Sequence, residues 1–168
     1  MPLPGNQFVA LPSEGGHVYF PFISRQEMEF QEFYREKSRL QHITANLVVS
    51  GRGLRYIHWF LLGEELEPQE VAARFTPESA TLAWAAKFYG RVCRDFTLDA
   101  LATGGLYIAG GVAAANPGIL THADFRHEFL DSPTMRHILA NIPLFLIDNQ
   151  ESGLWGAAYY GRQILQKG

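Results

Sequence analysis

Apolar positions in this chain recur at helical spacing over long stretches, and in two short runs they do not alternate at all. Between about residues 78 and 101, Leu82, Ala85, Tyr89, Val92 and Phe96 fall three and four apart, the stripe of an amphipathic helix. Lys87, Arg91, Arg94 and Asp95 lie off that stripe and are expected on its polar side. Cys93 sits beside Val92 on the stripe side, where a buried structural thiol is expected. The two exceptional runs are the apolar centre of 104–112 and residues 143–147. Both are continuous, as in strands covered on both faces. Glycine pairs, Gly104-Gly105 and Gly110-Gly111, flank the first.

Weaker patterns fill in the rest. Phe8–Leu11 ends at Pro12 and reads as a strand, and His17–Phe20 as another short one. Ser24 is positioned to cap a helix over 25–40, with Glu27 as its capping-box partner. Ser50-Gly51-Arg52-Gly53 opens a helix through about Leu62, and a short helix follows over 68–75. Further helices are predicted over 118–130, 133–140 and 153–167. Helix, strand, helix, strand, helix in the second half reads as α/β layers around a parallel strand pair.

Composition narrows the class. At 168 residues, 47% hydrophobic and 18% charged, the chain fits one globular domain spanning 1–168. A net charge of −3 gives no basic footprint for nucleic acid. A single cysteine excludes an intrachain disulfide framework and fits a reducing cytoplasm. No apolar run reaches about 18 residues, so no membrane span is expected. Met1-Pro2-Leu3-Pro4-Gly5 has neither the charged nor the apolar segment of a signal peptide.

The candidate chemistry begins at Glu14-Gly15-Gly16-His17. A carboxylate acceptor and an imidazole bracket two glycines whose backbone can approach a ligand closely, a combination suited to a polyhydroxylated ligand. The same four residues also read as a plain glycine turn with a surface histidine. Gly110-Gly111 follows a buried strand, where α/β proteins place ligands, and leaves room for a flat group such as a nucleoside. It equally reads as a tight strand-to-helix turn. Ser50–Gly53 is either an anion-binding helix start or simply an N-cap. There is no P-loop and no nucleophile elbow. His122, His127 and His137 lack metal-ligand spacing and read as surface or core histidines.

Taken in order, Ser-Glu-Gly-Gly-His-Val, Val-Ser-Gly-Arg-Gly-Leu and Gly-Gly-Leu-Tyr-Ile-Ala-Gly-Gly-Val resemble the bacterial-type glucokinases of the sugar kinase and actin-like ATPase superfamily. Ile147-Asp148-Asn149, followed by Gly153-Leu154-Trp155-Gly156-Ala157, resembles that family's last strand, loop and helix. The resemblance runs from about Val9 to the C-terminus. It implies a ribonuclease-H-like α/β domain, incomplete, with a mixed sheet and flanking helices. It implies that Glu14 and His17 contact glucose hydroxyls and that Gly110 and Gly111 border the adenosine of ATP, used with Mg2+ to phosphorylate the sugar 6-hydroxyl. A second sugar-binding Glu of the family falls at Asn46, which keeps hydrogen-bonding capacity without the charge.

The family's catalytic Asp and both phosphate loops lie in an N-terminal half that finds no counterpart here, so no catalytic residue is assigned. The chain is therefore expected to be inactive alone, or to be a non-catalytic sugar-binding or structural module. The terminal helix over 153–168 would lean on the missing small domain. Leu154, Trp155 and Tyr159 are thus expected to be poorly covered, and the open sheet edge to pair with a second copy or with the missing half.

Overall fold

Charge and aromatic rings together hold the centre of the molecule. In the computed structural model, residues 2–3 and 7–166 are described. The elements run β1 (Pro2–Leu3), β2 (Gln7–Phe8), a 3-10 turn (Gly15–His17), α1 (Arg25–Ser38), α2 (Ala45–Val48), α3 (Gly51–Leu62), α4 (Pro68–Ala73) and α5 (Ala80–Ala100). They continue with β3 (Leu106–Ile108), α6 (Gly111–Ala115), α7 (Gly118–Thr121), α8 (Ala123–Phe129), α9 (Arg136–Leu139), β4 (Leu144–Leu146) and α10 (Ser152–Leu165).

The long central helix is where the stripe predicts it, but its buried face is displaced. Leu82, Ala85, Ala86, Phe88, Tyr89 and Cys93 are buried, whereas Phe96 is 42% exposed. Burial pushes the Cys93 thiol up to about 12, as expected of an inert core cysteine. Arg91 is not on a polar face: it has no exposed surface. Its guanidinium donates to both Glu27 oxygens (2.6 and 3.1 Å), to Glu128 Oε1 (2.6 Å) and to the Pro21 carbonyl (2.7 Å). It also lies over the Phe20 and Phe88 rings, 5.4 and 5.7 Å from their centroids. Lys87 adds a second cation to Glu27 at 2.5 Å. This paired charge pins α1, α5 and α8 to one point, because either carboxylate left alone there would be a costly buried ion.

Around that point Phe22, Phe30, Trp84 and Phe88 meet edge-on or stacked, with centroids 5.3–6.3 Å apart. Gly90 lets α8 approach α5: a Cβ there would fall 2.4 Å from the Phe125 carbonyl oxygen. Ser24 caps α1 as predicted, accepting from the Glu27 N–H at 3.2 Å. The reciprocal half of the box is absent, since Glu27 turns instead to the Ile23 N–H and to Arg91.

The strands differ from expectation in four ways. β2 ends at Phe8, and residues 9–11 form no strand. Pro12 has no N–H for a ladder, and Leu11 lies exposed. His17–Phe20 is not a strand: His17 closes the 3-10 turn, and only Tyr19 bridges, to Thr44. The expected mixed sheet is two separate ladders among the described residues, β1–β2 antiparallel and β3–β4 parallel, with Leu106 opposite Leu144. The parallel pair is as predicted, yet it is covered on one face only. Leu106 is buried, while Tyr107 (62%) and Phe145 (43%) stack against each other in the open, 4.8 Å apart. No described residue covers that side.

Candidate functional site

The Glu14–His17 turn is built from short-range bonds. The His17 N–H donates to the Glu14 carbonyl at 2.9 Å, and the Gly15 N–H to Ser13 Oγ at 3.2 Å. A clamp then fixes the turn against the next segment. The Ala45 N–H donates to the Val18 carbonyl (3.0 Å) and the Phe20 N–H to the Ile43 carbonyl (3.1 Å). As a result the turn abuts α2, and a Cβ at Gly16 would lie 3.5 Å from that of Asn46. The three sugar-site candidates, Glu14, His17 and Asn46, therefore share one exposed surface. Glu14 Oε2 and His17 Nε2 stand 3.6 Å apart with most of their side-chain surface open to solvent. Asn46 Oδ1 accepts from the Thr44 hydroxyl, which leaves its amide N–H groups free to donate outward.

Two acidic residues join this region, Asp95, which the helical pattern had placed only on a polar face, and Asp99, which it did not single out. Asp95 and Asp99 of α5, one turn apart, line a cavity of about 370 Å³ beneath the turn, with Gly15, Gly16, Tyr19 and Phe96. Phe96, though partly exposed, lies against Gly15, whose added Cβ would sit 3.4 Å from its ring. The four-residue spacing of the two aspartates is the signal that pattern reading passes over.

Gly110 and Gly111 lie elsewhere, at the carboxyl ends of β3 and β4. Gly110 takes φ 126°, a conformation suited to glycine, and caps α6. A Cβ at either glycine would meet nothing within 4 Å. They border a cavity of about 160 Å³ with Ile147, Asn149, Gln150 and Ser152. Gly111 also lines a larger space of about 770 Å³ shared with Gly51, Leu54, Pro68, Ala72 and Val112. The turn and the glycine pair are thus linked through the α2–α3 segment, which carries Asn46 at one end and Gly51 at the other. Ser50–Gly53 itself is an N-cap: Ser50 Oγ accepts from the Gly53 N–H at 3.3 Å and donates to the Leu47 carbonyl at 2.9 Å. His122 is likewise a helix cap, accepting from the Asp124 N–H, and His127 and His137 are exposed.

A family described as Glucokinase matches residues 3–164. This chain belongs to the glucokinase family. Among its relatives, the glucokinase of Pectobacterium atrosepticum is 32% identical over 95% of this chain and 53% of its own length. That of a Nostoc species is 33% identical over 92% and 54%. The chain therefore spans about half the length of the curated glucokinases it matches. Its fold is similar to that of a glucokinase from an Antarctic psychrotroph, with TM-score 0.74 and 24% identity over 88% of this chain and 49% of that one. It is also similar to that of Balamuthia mandrillaris glucokinase, solved in complex with glucose, with TM-score 0.71 over 86% and 44%. The helix-rich α/β organisation with a small parallel sheet is thus that of a glucokinase portion. Among the described residues no helix is long and apolar enough to cross a membrane.

Proposed function

We propose that this chain carries the sugar half-site and the adenosine border of an ATP-dependent glucokinase, as the C-terminal portion of its ribonuclease-H-like scaffold. The observation that carries this reading is the contact of Gly16 with Asn46, which gathers Glu14, His17 and Asn46 on one open surface. In this reading Glu14 accepts from glucose hydroxyls, His17 donates or accepts, and the Asn46 amide donates where the family's second Glu would accept. Asn in that place favours a hexose whose hydroxyl accepts a bond there.

The glycine pair fits the nucleoside of ATP. The space above Gly110 and Gly111 is open to a flat group, and Asn149, Gln150 and Ser152 offer polar partners at its rim. ATP supplies the γ-phosphoryl group, and its Mg2+ neutralises the phosphate charge. The described residues hold no cluster of three His, Cys, Asp or Glu able to bind a metal ion. Because the family's catalytic Asp and both phosphate loops find no counterpart in these 168 residues, the chain by itself is expected to bind sugar without transferring phosphate.

Titration calorimetry with glucose, alongside a coupled assay of hexose-dependent ATP turnover, tests this. Binding without turnover is expected, with Glu14→Ala and His17→Ala each weakening it roughly tenfold or more, the loss of a charged or well-oriented hydrogen bond. Unchanged affinity in both variants overturns the sugar site. Turnover by the pure chain overturns its inactivity.

A further inference from the structure

Thr44 holds the N-cap of α2, and its carbonyl accepts from the Leu47 and Val48 N–H groups at 3.1 and 3.3 Å. An N-cap hydroxyl ordinarily accepts as well, from a backbone N–H two or three residues on. The Thr44 hydroxyl makes no such bond and lies instead 2.5 Å from Asn46 Oδ1. That separation suits an O–H···O bond, whereas N–H···O bonds fall at about 2.7–3.2 Å. The hydroxyl is therefore the donor and the amide oxygen the acceptor, which turns the Asn46 amide N–H groups the other way. Tyr19 bridges the Thr44 backbone, and the Ala45 N–H donates to the Val18 carbonyl. The pair is thus held in place beside the Glu14–His17 turn.

A second feature adjoins Asn46. Gly16, which abuts it, and Ala45, which precedes it, both line the cavity of about 370 Å³, together with Tyr19, Val92 and Phe96. Of the two carboxylates at this cavity, Asp95 is paired with Arg94 at 2.8 Å and Asp99 is exposed. The surface next to Asn46 is therefore mostly apolar, and a sugar hydroxyl would leave it bare.

We infer that this half-site takes an N-acylamino hexose in preference to glucose, with Thr44 as the positioning residue that sets the preference. The inference rests on the sugar-site reading above and narrows its substrate class. An acyl carbonyl oxygen can only accept, so it matches the outward Asn46 N–H groups. Its methyl enters the cavity against Ala45, Val92 and Phe96, while Glu14 takes a neighbouring hydroxyl. A Glu at position 46 would set one acceptor against another with no proton between them, and would reject the acyl group. Charged substituents fit less well. A uronate would meet the carboxylates of Glu14, Asp95 and Asp99, and an ammonium would meet the Asn46 donors.

Titration calorimetry of the chain with glucose, N-acetylglucosamine and its 2-epimer N-acetylmannosamine tests this. One of the two acetamido sugars should bind about fourfold tighter than glucose, the increment of one buried methyl. Thr44→Val frees the amide to rotate and should cut that ratio about fivefold, the share of one hydrogen bond. Thr44→Ser keeps the hydroxyl and should keep the ratio. Asn46→Glu should reverse the preference by roughly tenfold or more. A ratio of affinities cancels any loss of folded protein, so a merely structural Thr44 would leave it unmoved. Val92→Phe, which fills the cavity, should weaken the acetamido sugar and spare glucose. The inference is overturned, with the sugar site intact, if glucose binds and neither acetamido sugar binds tighter, or if Thr44→Val leaves the ratio unchanged. Glucosamine binding tighter than either acetamido sugar would assign the cavity to its carboxylates and overturn it too. If no sugar binds, the sugar site itself fails, and this inference fails with it.

Discussion

Arg91 and Trp155 mark two contrasting ends of this molecule's range of burial. Arg91 is a charged residue with no exposed surface, while Trp155 is an aromatic one that is 66% exposed. At the Arg91 end every strong demand is met within the chain. The guanidinium finds two carboxylates and a carbonyl, and the rings of Phe20, Phe30 and Phe88 find one another. At the Trp155 end, apolar surface and a strand edge meet no partner among the described residues. The contrast separates two kinds of stability. One end is held by its own side chains, and the other lies open, so substitutions of similar size should have very different consequences at the two ends.

The most severe test is Arg91→Ala. It would leave Glu27 and Glu128 buried without their main cation, which typically costs about 3–5 kcal/mol. Denaturant titration should show a loss of that size, and a variant as stable as wild type would erase the distinction between the two ends. Acid probes the same network next. Burial alone would raise the Glu27 carboxyl, but hydrogen bonds from Arg91, Lys87 and the Ile23 N–H outweigh it and hold it down to about 2, from an ordinary 4.5. With the folded value below the unfolded one, its contribution is complete above pH 4.5. It is lost as pH falls from 4.5 toward 2, on the order of 3 kcal/mol in all. His58 is also lowered, chiefly by burial and further by Arg74 against an opposing pull from Glu64, so its contribution begins to fade as pH drops below 6.5. Unfolding measured from pH 7 to pH 2.5 should therefore show a shallow loss and then a steep one. Glu27→Gln should flatten the steep part; an unchanged slope would place the acid sensitivity elsewhere.

Much of this contrast was legible in the residues, but unevenly. Helix α5 and the parallel pair β3–β4 follow from periodicity and from glycine punctuation, which act locally. The exposure of Leu154, Trp155 and Tyr159 follows from the family resemblance. The burial of Arg91 does not follow from any local pattern, because its carboxylates lie 64 and 37 positions away along the chain. A hydropathy pattern can only place an arginine outside. The apolar runs at 106–108 and 144–146 read as strands covered on both faces, yet Tyr107 and Phe145 stand exposed, because hydropathy cannot say what lies against each face. At the proposed sugar site, Glu14 and His17 read as a candidate ligand pair from four adjacent residues. Asn46 is joined to them only by the clamp from Val18 to Ala45, a tertiary contact that spacing does not reveal.

A smaller perturbation sharpens where the self-sufficient end stops. Gly90→Ala would drive a Cβ to 2.4 Å from the Phe125 carbonyl oxygen unless α8 moves. Overpacking at such a seam costs roughly 1–3 kcal/mol. Because α8 also brings Glu128 to Arg91, the displacement should weaken the ion network too. The Gly90→Ala and Glu128→Gln losses should then fall short of additive when combined, as expected for coupled neighbours. Strict additivity in a double-mutant cycle would mean that helix spacing and ion pairing are independent.

The least effect is expected at the far end, and its smallness is the point. Trp155→Asp removes a large ring and adds a charge, a change that in a core would unfold the protein. Here the side chain is two-thirds exposed on a helix with no buried residue, so little apolar burial is lost. The stability of the chain alone should move by no more than about 0.5 kcal/mol, as at other exposed sites. Thermal unfolding of the isolated chain reads this directly. A loss of several kcal/mol would show that α10 is already buried within this chain in solution, and the two ends would then be equally self-contained.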